Sequence, residues 1–278
     1  MRRPALAPEI IAAAFVAACE DELAALKPGN VHRFADGHRM TVADFEASAQ
    51  AAAPVLATAG TSVGTRILAA VEATRAAVGT NTNLGIVLLC APLAAAAEGP
   101  GLLRERLKAV LAALTVDDAD AAFRAIRLAA PAGLGEVPGY DVADAATIDL
   151  RAAMAVAAPR DRIAHQYVTG FADVFSTALP LFRTAVTVLR DRAAATTLLH
   201  LGLLAAIPDT HVARKHGTAA AEALRAEAAD ILRVIGRDPR PHEVGLLAFD
   251  TDLKRRGLNP GTTADLVVAT LFAERLGG

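Results

Sequence analysis

Four groups of polar residues interrupt a sequence otherwise dominated by alanine and aliphatic side chains. The first is Glu22 followed by Lys27-Pro28-Gly29-Asn30-Val31-His32. Phe15, Ala18, Cys19 and Glu22 recur at helical spacing, so Glu22 ends an apolar stripe instead of pointing to water. A carboxylate and a lysine beside a glycine turn can hold a metal and a phosphate; the same residues also make a helix stop with a surface ion pair. The second group, Asp36-Gly37-His38-Arg39, offers an acid, an imidazole and a cation, or simply a polar turn. The third runs from Glu72 and Arg75 to Gly79-Thr80-Asn81-Thr82-Asn83-Leu84-Gly85 and opens a very apolar helix. Such a helix start binds anions through its N–H groups and dipole, while Asn81 and Asn83 suit a base or ribose. Capping by Thr82 or Asn83 is the plainer reading, and the two are compatible. The fourth is split: Asp209-Thr210-His211-Val212-Ala213-Arg214-Lys215-His216 and Asn259-Pro260-Gly261-Thr262-Thr263-Ala264-Asp265. Arg214 and Lys215 suit a polyphosphate, because arginine grips phosphate oxygens bidentately and lysine adds a point charge. Thr262 with Asp265 has the form of a helix capping box.

Helices must carry these groups. No run of period-2 alternation is long enough for a strand, and Pro/Gly punctuation separates segments of helical periodicity. The pattern predicts helices over Pro8–Leu26, from the Thr41 cap to Thr58, over Val63–Val78, and from Leu84 onward. Further helices are expected at Leu102–Leu114, Asp118–Ala129, Asp141–Ala157, Asp161–Thr177, Leu179–Ala206, Thr218–Ile235, Pro241–Arg256 and Thr263–Leu276. Pro131–Gly139 reads as a loop with the character of a lid. The expectation is an all-α chain of about 11–13 helices in one domain over residues 1–278.

Composition narrows the function. With a formal charge of -2 there is no basic field for nucleic acid, so any anionic ligand must be held by local cations. Cys19 and Cys90 lie in apolar segments and read as buried thiols of a reducing, cytoplasmic compartment. Arg2-Arg3 before Ile10–Cys19 has a faint signal-peptide look, but the helical pattern continues to Lys27 and is read as the first helix. The most apolar stretch, Leu84–Ala97, falls short of the ~20 residues needed to cross a bilayer, so no membrane role is expected. No P-loop, dinucleotide fingerprint, HExxH or serine nucleophile elbow is present.

The clusters, in this order, resemble the triphosphoribosyl-dephospho-CoA synthase family, which makes the prosthetic-group precursor of citrate lyase and malonate decarboxylase acyl carrier proteins. The shared features are Glu22 with Lys27-Pro28-Gly29, Gly37-His38-Arg39-Met40, Phe45-Glu46-Ala47-Ser48-Ala49, Asn81-Thr82, Asp209-Thr210 and the run Leu258-Asn259-Pro260-Gly261 to Asp265-Leu266. Asn83 and Leu84 stand where the family has His and Lys, His32 replaces an aspartate and Pro208 a glycine. These departures resemble a divergent branch of archaeal and methylotroph type.

The resemblance implies a transferase that moves the triphosphoribosyl part of ATP to a hydroxyl such as that of dephospho-CoA and releases adenine. Mg²⁺ is the metal it implies, with Glu22, Glu72 and Asp209 as metal ligands or base. Lys27, Arg214 and Lys215 would hold phosphates, with Gly29, Asn30 and Asp265 also at the substrate. Asn81, Thr82 and Asn83 would contact sugar or base, and His38 and His211 would supply protons. A small-molecule donor and acceptor are the expected partners, and a homodimer is compatible with the sequence. Two alternatives remain at this level: a phosphoribosyl transfer in the synthesis of a methanopterin- or methanofuran-type one-carbon carrier, and a nucleotide binder without catalysis.

Overall fold

A computed structural model describes residues 4–37, 40–129 and 144–278. Among them the chain forms fourteen α-helices and no sheet. They are α1 (Pro8–Ala24), α2 (Val42–Leu56), α3 (Val63–Val78), α4 (Leu84–Ala97), α5 (Leu103–Ala112), α6 (Val116–Ala129) and α7 (Leu150–Ala157). After these come α8 (Arg162–Thr169), α9 (Leu179–Leu189), α10 (Arg192–Ala206), α11 (Thr210–His216), α12 (Thr218–Ile235), α13 (Glu243–Arg255) and α14 (Gly261–Arg275). A π-helical turn, Asp173–Ala178, leads directly into α9.

Two helices form the axis of the fold. α4 is buried on almost every side, and so is α14, which is why neither shows an amphipathic stripe. They pack on each other and on α1, where Phe15 meets Phe272 edge-on with ring centroids 5.7 Å apart. α2 and α3 pair beside α1, α6 covers α3, and α10 carries α9 and α12 on the other flank. Cys19 and Cys90 are free and buried in this core, and burial raises both thiols above the ordinary range. No single helix among the described residues is long and apolar enough to cross a membrane.

Several boundaries differ from those the periodicity predicts. The helix expected over Leu179–Ala206 is two, because Arg190 takes a left-handed conformation (φ 53) and Asp191 caps α10 through the Ala194 N–H. The one expected over Asp161–Thr177 breaks at Gly170 and at Phe171, also left-handed, before the π turn. α7 begins only at Leu150, capped by Asp149, instead of near residue 141. A short α11, capped by Asp209, forms in the polar stretch between two expected helices. The loop expected over residues 131–139 lies outside the described residues.

Burying a proline-containing helix such as α4 requires a local repair. Pro92 has no N–H, so the Leu88 carbonyl one turn earlier loses its helical donor. The fully buried Tyr167 of α8 supplies the replacement, its hydroxyl donating to Leu88 O at 2.6 Å. This bond also fixes α8 against α4, beside the residues discussed below. Tyr167→Phe should therefore lower unfolding stability by about 1–3 kcal/mol, the cost of a stranded buried acceptor, in urea denaturation. A shift within error of zero would show that the carbonyl is satisfied some other way.

Candidate active site

The ends of these helices enclose one cavity of about 1110 Å³. Its wall is made by the end of α1, the turn before α4, the start of α8, the start of α11 and the start of α14. Three of the four groups singled out in the sequence thus meet. The first turns of α4, α8 and α14 line it, and helix starts carry partial positive charge. Arg160, Arg162, Arg214 and Lys215 add full charges along the α8 and α11 side. Phe123, Ile126, Met154 and Ala157 form an apolar wall.

Glu22 reaches the cavity because it ends the buried stripe of α1. Lys27 does not reach it. Its side chain is sealed from solvent, and its ammonium donates to Glu22, to Asn30 Oδ1 at 3.0 Å and to the Val31 carbonyl at 2.8 Å. With all three protons used, Lys27 positions Glu22 instead of gripping phosphate, which corrects the sequence-based assignment. Burial raises the Glu22 carboxyl and lowers the Lys27 ammonium, while each favours charge on the other. Asn30 continues the chain of contacts, its Nδ2 donating to Asn259 Oδ1 at 2.8 Å, and both asparagines face the cavity.

Gly29 is needed for close approach, not for ligand contact. Its φ is +83°, a Cβ would sit 2.8 Å from Pro260 Cδ, and its N–H donates to Asp250 Oδ1 at 2.8 Å. Asp250 also meets Lys254 at 3.0 Å and lies 3.3 Å from His32 Nε2, so a buried acid pins the turn from below. Sequence reasoning missed Asp250, because a lone aspartate inside a helix carries no local signal.

Asp209 is a clasp. One oxygen accepts from the His211 and Val212 N–H groups at 2.9 and 3.0 Å, capping α11. The other accepts from the Thr263 N–H and hydroxyl, both at 2.8 Å, and so ties α11 to α14. Beside it Thr262 Oγ1 pairs with Thr210 Oγ1 at 3.0 Å and accepts from His211 N–H at 3.1 Å. Thr262 is therefore not the predicted cap of α14: the capping position is Pro260, without a side-chain bond. Asp209 does not line the cavity, whereas His211, Arg214, Lys215 and Asp265 do.

At the α4 turn, Asn81 and Thr82 line the cavity and Asn83 does not. Asn81 Oδ1 accepts from Leu84 N–H at 3.1 Å, Thr82 pairs with Ser48 at 2.6 Å, and the buried Asn83 donates to Thr74 Oγ1 at 2.9 Å. Glu72 is exposed on α3 and absent from the cavity wall. The buried stripe of α3 is Ile67, Ala70, Val71 and Thr74, which turns Glu72 outward. The three carboxylates expected to share a metal therefore do not converge, and no group of three or more metal-ligating side chains occurs among the described residues. Among the described residues, the protein's own donors do not form a cage for Mg²⁺. His38 lies outside the described residues.

The segment Pro159-Arg160-Asp161-Arg162 belongs to the site and was read only as a helix start. Asp161 caps α8 and lies 3.6 Å from Arg214. Arg162 lines the cavity while Asp173, from the π turn, holds its guanidinium bidentately at 2.7 and 2.8 Å. The signal was present: two arginines flanking a capping aspartate, one residue after a proline, at the mouth of a helix.

A helical scaffold lines a large cavity with cations and helix starts on one side and an apolar wall on the other, an arrangement suited to a phosphorylated ligand. The model of the family described as ATP:dephospho-CoA triphosphoribosyl transferase (CitG) matches residues 8–278, and the chain belongs to that family. The fold is similar to the crystal structure of a provisionally named triphosphoribosyl-dephospho-CoA synthase from Archaeoglobus fulgidus. The TM-score is 0.63, with 24% identity over 83% of this chain and 98% of the other. No curated protein matches the sequence.

Two variants separate supporting residues from exposed ones. Lys27→Met leaves a buried, unpaired carboxylate and should cost roughly 3–5 kcal/mol of stability, measured by chemical denaturation. Glu72→Gln should leave stability and turnover unchanged; a strong loss of turnover would return Glu72 to the site.

Proposed function

We propose that this cavity binds ATP and dephospho-CoA together, and that the helix starts and cations on the α8–α11 side hold the triphosphate. The supporting observation is the meeting of Arg160, Arg162, Arg214 and Lys215 with the first turns of α8 and α14 in one space of about 1110 Å³. A pocket for one drug-sized molecule spans roughly 300–1,000 Å³, and this one lies just above that range. A triphosphate needs several cations, and fixed arginines lose little freedom on gripping it. Arg162 is preset by Asp173, which leaves its remaining N–H groups for a ligand.

Asn81 and Thr82 stand at the start of α4 to orient ribose or base, and the wall of Phe123, Ile126 and Met154 suits the apolar arm of the acceptor. Holding both substrates in one geometry supplies much of the rate in a transfer whose transition state has oxocarbenium character. Glu22, fixed by Lys27 at the cavity edge, is the candidate to receive the acceptor hydroxyl proton. No step is assigned to a metal. Two buried, unpaired cysteines suit a reducing, cytoplasmic setting for the reaction.

The test is mass spectrometry of a mixture of protein, ATP and dephospho-CoA. The expected products are free adenine and an acceptor heavier by one triphosphoribosyl unit, in equal amounts. ADP formation without adenine would contradict the proposal. Arg214→Ala should raise KM for ATP about tenfold or more, the loss of one charge-assisted contact of roughly 1.5–3 kcal/mol.

A further inference from the structure

Glu22, Asp161 and Asp265 line the cavity and Asp209 lies behind its wall, and three of these four acids have partners. Asp209 accepts four hydrogen bonds, from His211, Val212 and twice from Thr263. Glu22 is paired with Lys27. Asp161 accepts from the Ile163 and Ala164 N–H groups and lies near Arg214. The fourth, Asp265, faces the cavity from α14 and accepts no hydrogen bond from any described residue. α4 lies against it at Gly85, where an added Cβ would fall 2.0 Å from Asp265 Oδ2, and Ile163 closes the same contact.

We propose that Asp265, the cavity-facing acid with no hydrogen-bond partner among the described residues, donates a proton to the adenine that leaves. The inference rests on the ATP-cleaving reading above. The groups acting on Asp265 are Glu22 and Lys27 from α1 and its turn, Asp209 and Arg214 around α11, Asp161 at the cap of α8, and Cys90 of α4. Burial, then the charges of Asp209, Glu22 and Asp161, push the carboxyl well above the usual range, and Arg214 opposes them weakly. A neutral acid can donate a hydrogen bond in a space where an ionised one would repel phosphate.

The step balances. As the C1′–N9 bond breaks, its electron pair goes to the purine, and the Asp265 proton is delivered to a ring nitrogen so that adenine departs neutral. The acceptor oxygen bonds to C1′ and passes its proton to Glu22, which returns it to solvent, while the Asp265 carboxylate takes one back from solvent, so no net proton is gained or lost. The reading of the sequence gave the proton to His38 or His211 and placed Asp265 at the substrate without a proton-transfer role.

The experiment compares Asp265→Asn with the wild type on two donors, ATP and its N7-methylated analogue, whose base leaves without protonation. Loss of general-acid catalysis should lower kcat on ATP roughly 10²–10⁴-fold, and the variant should match the wild type on the methylated donor. Equal losses on both donors would overturn the proposal. A second readout needs no turnover. A carboxyl raised in the folded state contributes stability below its unfolded value and loses it as pH rises through the folded value. Asparagine mimics the neutral form, so the Tm of Asp265→Asn should exceed that of the wild type increasingly as pH rises. Parallel Tm profiles would overturn the neutral acid. If the wild type releases no base from either donor, the functional reading fails, and the Tm profiles still decide the state of Asp265.

Discussion

Asp209 holds the site together. Its two oxygens engage both the first turn of α11 and Thr263 of α14, so one buried side chain fixes the angle between a cation-bearing helix and the central helix of the fold. Without that clasp, seven residues of α11 have too little helical stability of their own to persist. The clasp sets where Arg214 and Lys215 stand relative to the α4 turn. Everything proposed for phosphate binding depends on that placement.

A second constraint comes from burial. Lys27, Glu22, Asn30 and Asn259 form a continuous chain of hydrogen bonds in which the lysine has no donor left for a ligand. Asp250 does the same for the Lys-Pro-Gly turn from the opposite side. Buried charges persist only when fully paired, so these residues are committed to shape. Asp265 is the exception among the acids, and an unpaired acid is best tolerated without its charge.

This division explains what was legible in the sequence. The helices were, because the apolar stripes of α1, α2 and α3 repeat at helical spacing and Thr41 with Asp44 forms the expected capping box. The breaks at Arg190 and Phe171 were not, because non-glycine residues in the left-handed region carry no sequence signature. Glu22, Asn30, Asn81, Thr82, His211, Arg214, Lys215 and Asp265 reach the cavity as a group. Glu72, Lys27, Gly29, Asn83 and Asp209 do not: Glu72 sits on a helix face turned outward, Lys27 is consumed by its near neighbours Glu22, Asn30 and Val31, Gly29 is held by the distant Asp250, Asn83 is turned to Thr74, and Asp209 is used as a clasp. Arg160 and Arg162 were hidden inside an ordinary helix start, and only the fold brings them opposite Arg214.

The central claim is that one cavity, framed by the clasped helices, takes both substrates side by side. A crystal structure with a non-cleavable ATP analogue and dephospho-CoA tests it most directly. The account predicts the triphosphate against Arg162 and Arg214, the purine within hydrogen-bond reach of Asp265, and the acceptor along Phe123 and Met154. A nucleotide bound outside this cavity, or a purine far from Asp265, would contradict it.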